Sequence, residues 1–181
     1  MKLLKRLKHK VKLLKPLVFN ATPLIYLCKI GLSNVLVQFS EEKYTTPEVV
    51  KEVVDKGKSL GAPDAFVVEQ LVQQSVLKVK TPSNVAFIEQ LDKIPDLHQA
   101  EIQVLALAKE MNGIAILDEG IARQVARIYN IEAHGTVYLL LRLLFKGIFS
   151  KEQVREAIDK MITTGWRLTA EEYRTLLKEL E

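Results

Sequence analysis

LVFNATPLIYL, residues 17–27, joins an apolar run to the start of a helix. Leu17–Phe19 reads as a short buried strand. Thr22-Pro23 then opens a helix, with Thr as cap and Pro at the first position. The helix is expected to run to about Ile30 and to end at Gly31. Asn20 sits in the turn between the two. In open parallel α/β sheets, ligands bind where strands end and helices begin. Asn20 therefore reads either as part of a site mouth with one charge missing, or as an ordinary turn residue capping through its side chain.

The same strand-to-helix pattern recurs downstream. Lys43–Thr45 looks like a second strand, Thr46-Pro47 repeats the cap-plus-proline start, and PEVVKEVVDKG forms a helix ending at Gly57. Residues 63–74 are expected to be helical, Val76–Val79 a brief strand, and residues 83–93 helical. HQAEIQVLALAKEMNG (98–113) is a strong helix, with Ile102, Leu105, Ala106 and Ala108 on its inner side and a stop at Asn112-Gly113. The all-apolar IAIL (114–117) fits a strand covered on both faces. A helix over 120–130, a strand near 131–133 and the helix TVYLLLRLLFKG (136–147) follow. That last helix is apolar enough for a core or a dimer face, and core is the default. Ser150 with Gln153, and Thr169 with Glu172, each fit a capping box and predict two more helices. The β-α alternation predicts one α/β domain with a mostly parallel sheet, closed by a C-terminal helical segment.

Composition narrows the class. Hydrophobic residues make up 48% and charged residues 27% of the 181, which excludes a disordered chain. No apolar run approaches the roughly 20 residues a membrane span needs, and the basic start lacks the apolar stretch and cleavage site of a signal peptide. The single cysteine, Cys28, rules out an internal disulfide and points to a cytoplasmic home. Seven of the 26 basic residues lie within residues 1–15, where there is no acid, so the rest of the chain has more acids (22) than bases. This N-terminal arm, with Leu3, Leu4, Leu7, Val11 and Leu14 at helical spacing, is open to three readings. It is a solvated tail, a contact for an RNA or DNA backbone, or a contact for an anionic membrane surface.

Four acids stand where chemistry is expected. Asp118 and Glu119 follow IAIL directly. Glu52 lies one turn into its helix, and Glu101 lies near the start of the helix opening around His98. They converge with Asn20 only if the strands at 17–19 and 114–117 are neighbours. Like charges in one cleft repel and each costs desolvation, so a fold alone does not collect them. Mg²⁺ or Mn²⁺ reverses that sign, takes oxygen ligands, and can activate a water against a phosphodiester. Each acid also has a plainer role: Asp118 as a helix cap, Glu119 as a first-turn acid favoured by the dipole, Glu52 and Glu101 as exposed helix residues.

Taken together, VFNATPLIYL, TTPEVVKEV, LHQAEIQVLALAKE and IAILDEGIARQVAR resemble the PIN-domain nuclease family in order and spacing, from about residue 17 to 140. The resemblance is to the prokaryotic branch that continues with a Gly-Thr step, here Gly135-Thr136. It implies a three-layer α/β/α fold with acids around one or two Mg²⁺ or Mn²⁺ ions, and cleavage of RNA. It also implies a small antitoxin-like partner, as for many prokaryotic members. Carried over, the acidic positions fall on Asn20, with its nearby hydroxyl on Thr22, then on Glu52, on Glu101, and on Asp118 or Glu119; Glu52, Glu101 and Asp118 are the expected metal-cluster acids, with Glu119 supporting and Asn20 a neutral ligand or water positioner. Asn20 departs from the family's usual Asp. An amide oxygen can ligate a cation but brings no charge, so a slow or metal-demanding nuclease is expected.

The expected organisation is a basic arm over 1–15, a PIN-like domain over 16–149, and a helical extension over 150–181 packed on the same domain. Two rivals remain. One is a PIN-like module that binds RNA or protein without cutting. The other, a receiver-like or phosphatase-like domain, is disfavoured by the lack of an acidic pair near the first strand. His98 and His134 are too far apart in sequence to suggest zinc. Arg123 and Arg127 share a helix face beyond Asp118, suited to a phosphate or to pairing with acids. Trp166 and Tyr173 are read as anchors of the C-terminal helices rather than as stacking platforms.

Overall fold

The computed structural model describes residues 14–168 together with residues 173, 174, 176 and 178. The arm up to residue 13 and the Thr169–Glu172 capping box lie outside the described residues.

Five parallel strands build one sheet: β1 (Leu17–Phe19), β2 (Lys43–Thr45), β3 (Lys78–Val79), β4 (Ile114–Ile116) and β5 (Glu132–His134), in the order β3-β2-β1-β4-β5. The register sets Phe19 opposite Ile116 and Ile116 opposite His134. β1 is central, so the chain leaves it first towards β2 and later places β4 on its other side. Crevices at the carboxyl ends of strands open at such a reversal. Leu17, Val18, Phe19, Ala115 and Ile116 are all fully buried, which explains the unbroken apolar runs that announced these strands.

The helices are α1 (Ala21–Lys29), a composite α2, α3 (Pro63–Gln73), α4 (Val85–Leu91), α5 (Gln99–Glu110), α6 (Gly120–Ile128), α7 (Thr136–Phe145) and α8 (Lys151–Thr163). The composite α2 contains an α-helical turn (Pro47–Val50), a π-helical turn (Lys51–Lys56) and a last α-helical turn (Gly57–Ser59). A short 3₁₀ segment, Ser33–Gln38, buries Val35 and Leu36. Right-handed crossovers put α1 to α3 on one face of the sheet and α4 to α6 on the other. Their packing agrees: α1 rests on α3, while α5 covers β1 and β4 and meets α4 and α6. The result is a three-layer α/β/α fold. α8, opened by the Ser150–Gln153 capping box, packs on α7 and α1.

Several local expectations shift. α1 begins at Ala21, so Asn20 rather than Thr22 is the cap position, and neither side chain caps it. Thr22 is freed for another contact, described below. β3 is two residues long, and β5 begins at Glu132 rather than Ile131. α7 buries Leu139, Leu140, Leu141 and Leu143 within the chain itself. Among the described residues, no helix is long and apolar enough to cross a membrane. Lys15, the last basic residue of the arm, pairs with Glu132 at 3.0 Å.

Candidate active site

β1 and β4 are hydrogen-bonded neighbours, so Asn20 and the Asp118-Glu119 step leave the sheet side by side. The backbone N–H of Asn20 still donates to Ile116, at 2.9 Å, which holds the turn against the end of β4.

Glu119 is the centre of the contacts. Its Oε1 accepts the Thr22 hydroxyl at 2.5 Å, and its Oε2 accepts the Asn20 amide at 3.2 Å and the Asp118 backbone N–H at 3.1 Å. Asn20 is buried, and its Oδ1 has no hydrogen-bond partner among the described residues. The reverse amide orientation would set that oxygen against a carboxylate. Glu101, only 4% exposed, accepts the His98 backbone N–H at 2.9 Å. Its carboxyl is pushed up chiefly by burial. The His98 N–H opposes the shift, and the nearby charges of Glu119 and Glu52 add to it. Glu52, exposed at the rim, enters from the first turn of the π-helical stretch, a feature frequent at functional sites. Glu101 therefore feels the charges of both Glu119 and Glu52.

Asp118 does something else. Its Oδ1 accepts the Thr136 backbone N–H and its Oδ2 the Thr136 hydroxyl, both at 2.7 Å; Oδ2 also accepts the Trp166 indole N–H at 3.1 Å. Burial pushes its carboxyl up, and these three donors work against the shift. A Cβ at Gly135 would stand 2.7 Å from Asp118 Oδ1, so the Gly-Thr step makes room for the carboxylate and then supplies two donors to it. Asp118 ties the end of β4 to the start of α7 and to the segment after α8.

The oxygen-only donor set fits a hard divalent cation: the Glu52, Glu101 and Glu119 carboxylates with the orphaned Asn20 Oδ1. Among the described residues, no three His, Cys, Asp or Glu side chains already stand in ligand geometry. The acids share a rim without being closed around one point. The sequence reading set Asp118 in the metal group with Glu119 supporting; the contacts favour the reverse, since Glu119 faces Asn20 and Glu101 while Asp118 is engaged by Thr136 and Trp166. The Thr136 and Trp166 roles escaped sequence reading, although the Gly135-Thr136 step was a visible signal for the first.

The remaining candidates fall into place. His98 is the cap residue of α5. Trp166 is buried, and Tyr173 donates to Asp159 at 3.1 Å, so both anchor the C-terminal segment. Burial, with a smaller push from Asp64, raises the Cys28 thiol to about 12, which makes it inert.

A family model described as a PIN domain matches residues 16–181, nearly the whole chain, including α8 and the residues after it. Two curated proteins, each named "Endoribonuclease Nob1", are similar to this chain. The one from Methanocaldococcus jannaschii is 33% identical over 102 residues, covering 54% of this chain and 47% of that protein. The one from Pyrococcus abyssi is 32% identical over 107 residues, covering 55% of this chain and 63% of that protein. The matches thus span about half to three-fifths of those relatives' lengths.

Proposed function

The chain belongs to the PIN-domain family, and on that premise we propose that it is a metal-dependent endoribonuclease hydrolysing RNA phosphodiesters. The carrying observation is the group formed by Asn20, Thr22, Glu101 and Glu119, drawn from separate stretches of chain to the reversal point of a parallel sheet. A divalent cation, Mg²⁺ or Mn²⁺, would be held by Glu52, Glu101, Glu119 and Asn20 Oδ1, neutralising the acids and activating a water. The Thr22 hydroxyl and the Asn20 amide each fix one oxygen of Glu119, so that carboxylate has a single orientation. Burial and the neighbouring charges of Glu119 and Glu52 push the Glu101 carboxyl up, a cost that a bound cation would offset. Asp118 helps to position Glu119, to which its backbone N–H donates. No side chain of the set is a strong nucleophile, so attack by water without a covalent intermediate follows.

A second reading has its own observation. The Asn20 amide already satisfies Glu119 without a cation, which favours a module that binds RNA, or a small antitoxin-like protein, without cutting. A single turnover on labelled RNA in ¹⁸O water, with Mn²⁺ or with EDTA, separates the two. Hydrolysis places ¹⁸O on the product phosphate with Mn²⁺ only. RNA that is bound but intact under both conditions favours the module.

A further inference from the structure

We infer that the cationic cavity behind Asp118 is a subsite for one phosphate-bearing nucleotide of a single-stranded RNA, next to the proposed cleavage site. The inference rests on the nuclease reading and extends it to the placement of substrate. The cavity measures about 550 Å³, within the roughly 300–1,000 Å³ of sites that take small organic ligands. It lies between α6, the end of β5, the first turns of α7 and the segment after α8. Arg123 and Arg127 enter from α6, Arg167 from the C-terminal segment, and His134 and Tyr138 from β5 and α7.

Charge and shape both point to a nucleotide. Three guanidinium groups line one small space, and guanidinium is the group best matched to a phosphate. The acid in the wall, Asp118, is held by Thr136 and Trp166 and sets one negative charge against three guanidinium groups, so the lining stays positive overall. His134 and Tyr138 stack with ring centres 3.9 Å apart and planes 8° from parallel, and both line the cavity, so a base can extend the stack. Gly120, at the first position of α6, also lines the cavity and puts no side chain between the helix start and a ligand; nothing stands within 4 Å of where its Cβ would be. The cavity and the acids share the Asp118-Glu119 step, one on each side of it. An RNA strand crossing that step would set one phosphate among the arginines and the next unit over the acids. The C-terminal segment would then supply part of the substrate site.

The test is equilibrium binding of a fluorescent single-stranded RNA to the full chain in EDTA, repeated over a range of salt. Arg127→Ala/Arg167→Ala is expected to weaken binding on the order of tenfold and to lower the salt slope by about 0.7 for each phosphate no longer neutralised. Arg127→Lys/Arg167→Lys is expected to recover most of the slope, and Lys78→Ala, at the other end of the sheet, to change neither quantity. Free nucleoside monophosphate should compete with wild type and not with the double alanine variant. Unchanged affinity and slope in a folded double alanine variant would overturn this inference alone. Wild type that neither binds nor cuts RNA would sink the nuclease reading with it.

Discussion

The Asn20 amide donates to Glu119 across 3.2 Å, joining the end of β1 to the start of α6 through residues 99 positions apart. The same carboxylate takes the Thr22 hydroxyl, so two residues of one turn hold it from one side. A charge at position 20 would change the character of the site, and that change is measurable.

Asn20→Asp replaces a donor with a second carboxylate facing Glu119. In EDTA the variant is expected to lose about 1–3 kcal/mol of stability, from a broken hydrogen bond and like-charge repulsion. With Mn²⁺ the sign reverses, because a cation gains a charged ligand. Thermal melts with and without Mn²⁺ should show a larger metal-induced shift in the variant than in wild type, and its RNA cleavage should be faster. Equal shifts in both proteins would remove Asn20 from the metal set.

Asp118→Ala leaves the Thr136 donors and the Trp166 indole without their acceptor. About 2–4 kcal/mol of stability should be lost in chemical denaturation. Trp166→Phe removes one of those donors and is expected to cost about 1 kcal/mol. Both variants should bind Mn²⁺ with near-normal affinity once folded. A selective loss of metal affinity in folded Asp118→Ala would make Asp118 a ligand after all.

Glu101 carries a pH signature. Its folded-state carboxyl is raised by burial and by Glu119 and Glu52, so between the unfolded and folded pKa values the folded chain binds the extra proton. Stability from this group is present below the unfolded pKa and is lost as pH rises through the folded one. Glu101→Gln should therefore flatten the metal-free stability profile in the range above the ordinary glutamate pKa and raise the melting temperature at neutral pH. Glu132 has the opposite sign: the His134 ring 3.6 Å away, ahead of Lys15, lowers its carboxyl to about 2, so its contribution persists until strongly acidic pH. A Glu101→Gln variant less stable than wild type at pH values well above neutral in EDTA would contradict the assignment.

Arg142 pairs with Glu41 just before β2, at the opposite end of the strands from the candidate site, and lies over the Phe39 ring at 4.9 Å. Glu41 is 7% exposed. Arg142→Met should cost about 3 kcal/mol in chemical denaturation, because it strands a buried charge.

Much of the fold was legible because β1 and β4 are buried on both faces and so lack polar alternation, while α5 and α7 are long apolar-rich runs that end at Asn112-Gly113 and Gly147. The candidate site was legible as far as strand ends and helix starts reveal it: Asn20 and the Asp118-Glu119 pair were readable at strand ends, and Glu101 at the start of its helix. Which of the last two faces Asn20 was not. Adjacent residues at a helix start point in different directions, and partners 18 and 48 positions away, Thr136 and Trp166, decide the matter for Asp118. The π-helical turn carrying Glu52 was equally hidden, since its hydrogen-bond register has no signature in residue type. The cavity behind Asp118 is formed by the packing of a segment that sequence spacing does not place.

The most direct measurement is Mn²⁺-dependent cleavage of single-stranded RNA by wild type and Glu119→Gln, with the fold of each checked by circular dichroism. Wild type should cut with Mn²⁺ and not with EDTA, and folded Glu119→Gln should be slower on the order of hundredfold or more. Wild-type speed in folded Glu119→Gln would contradict an acid site centred on that residue.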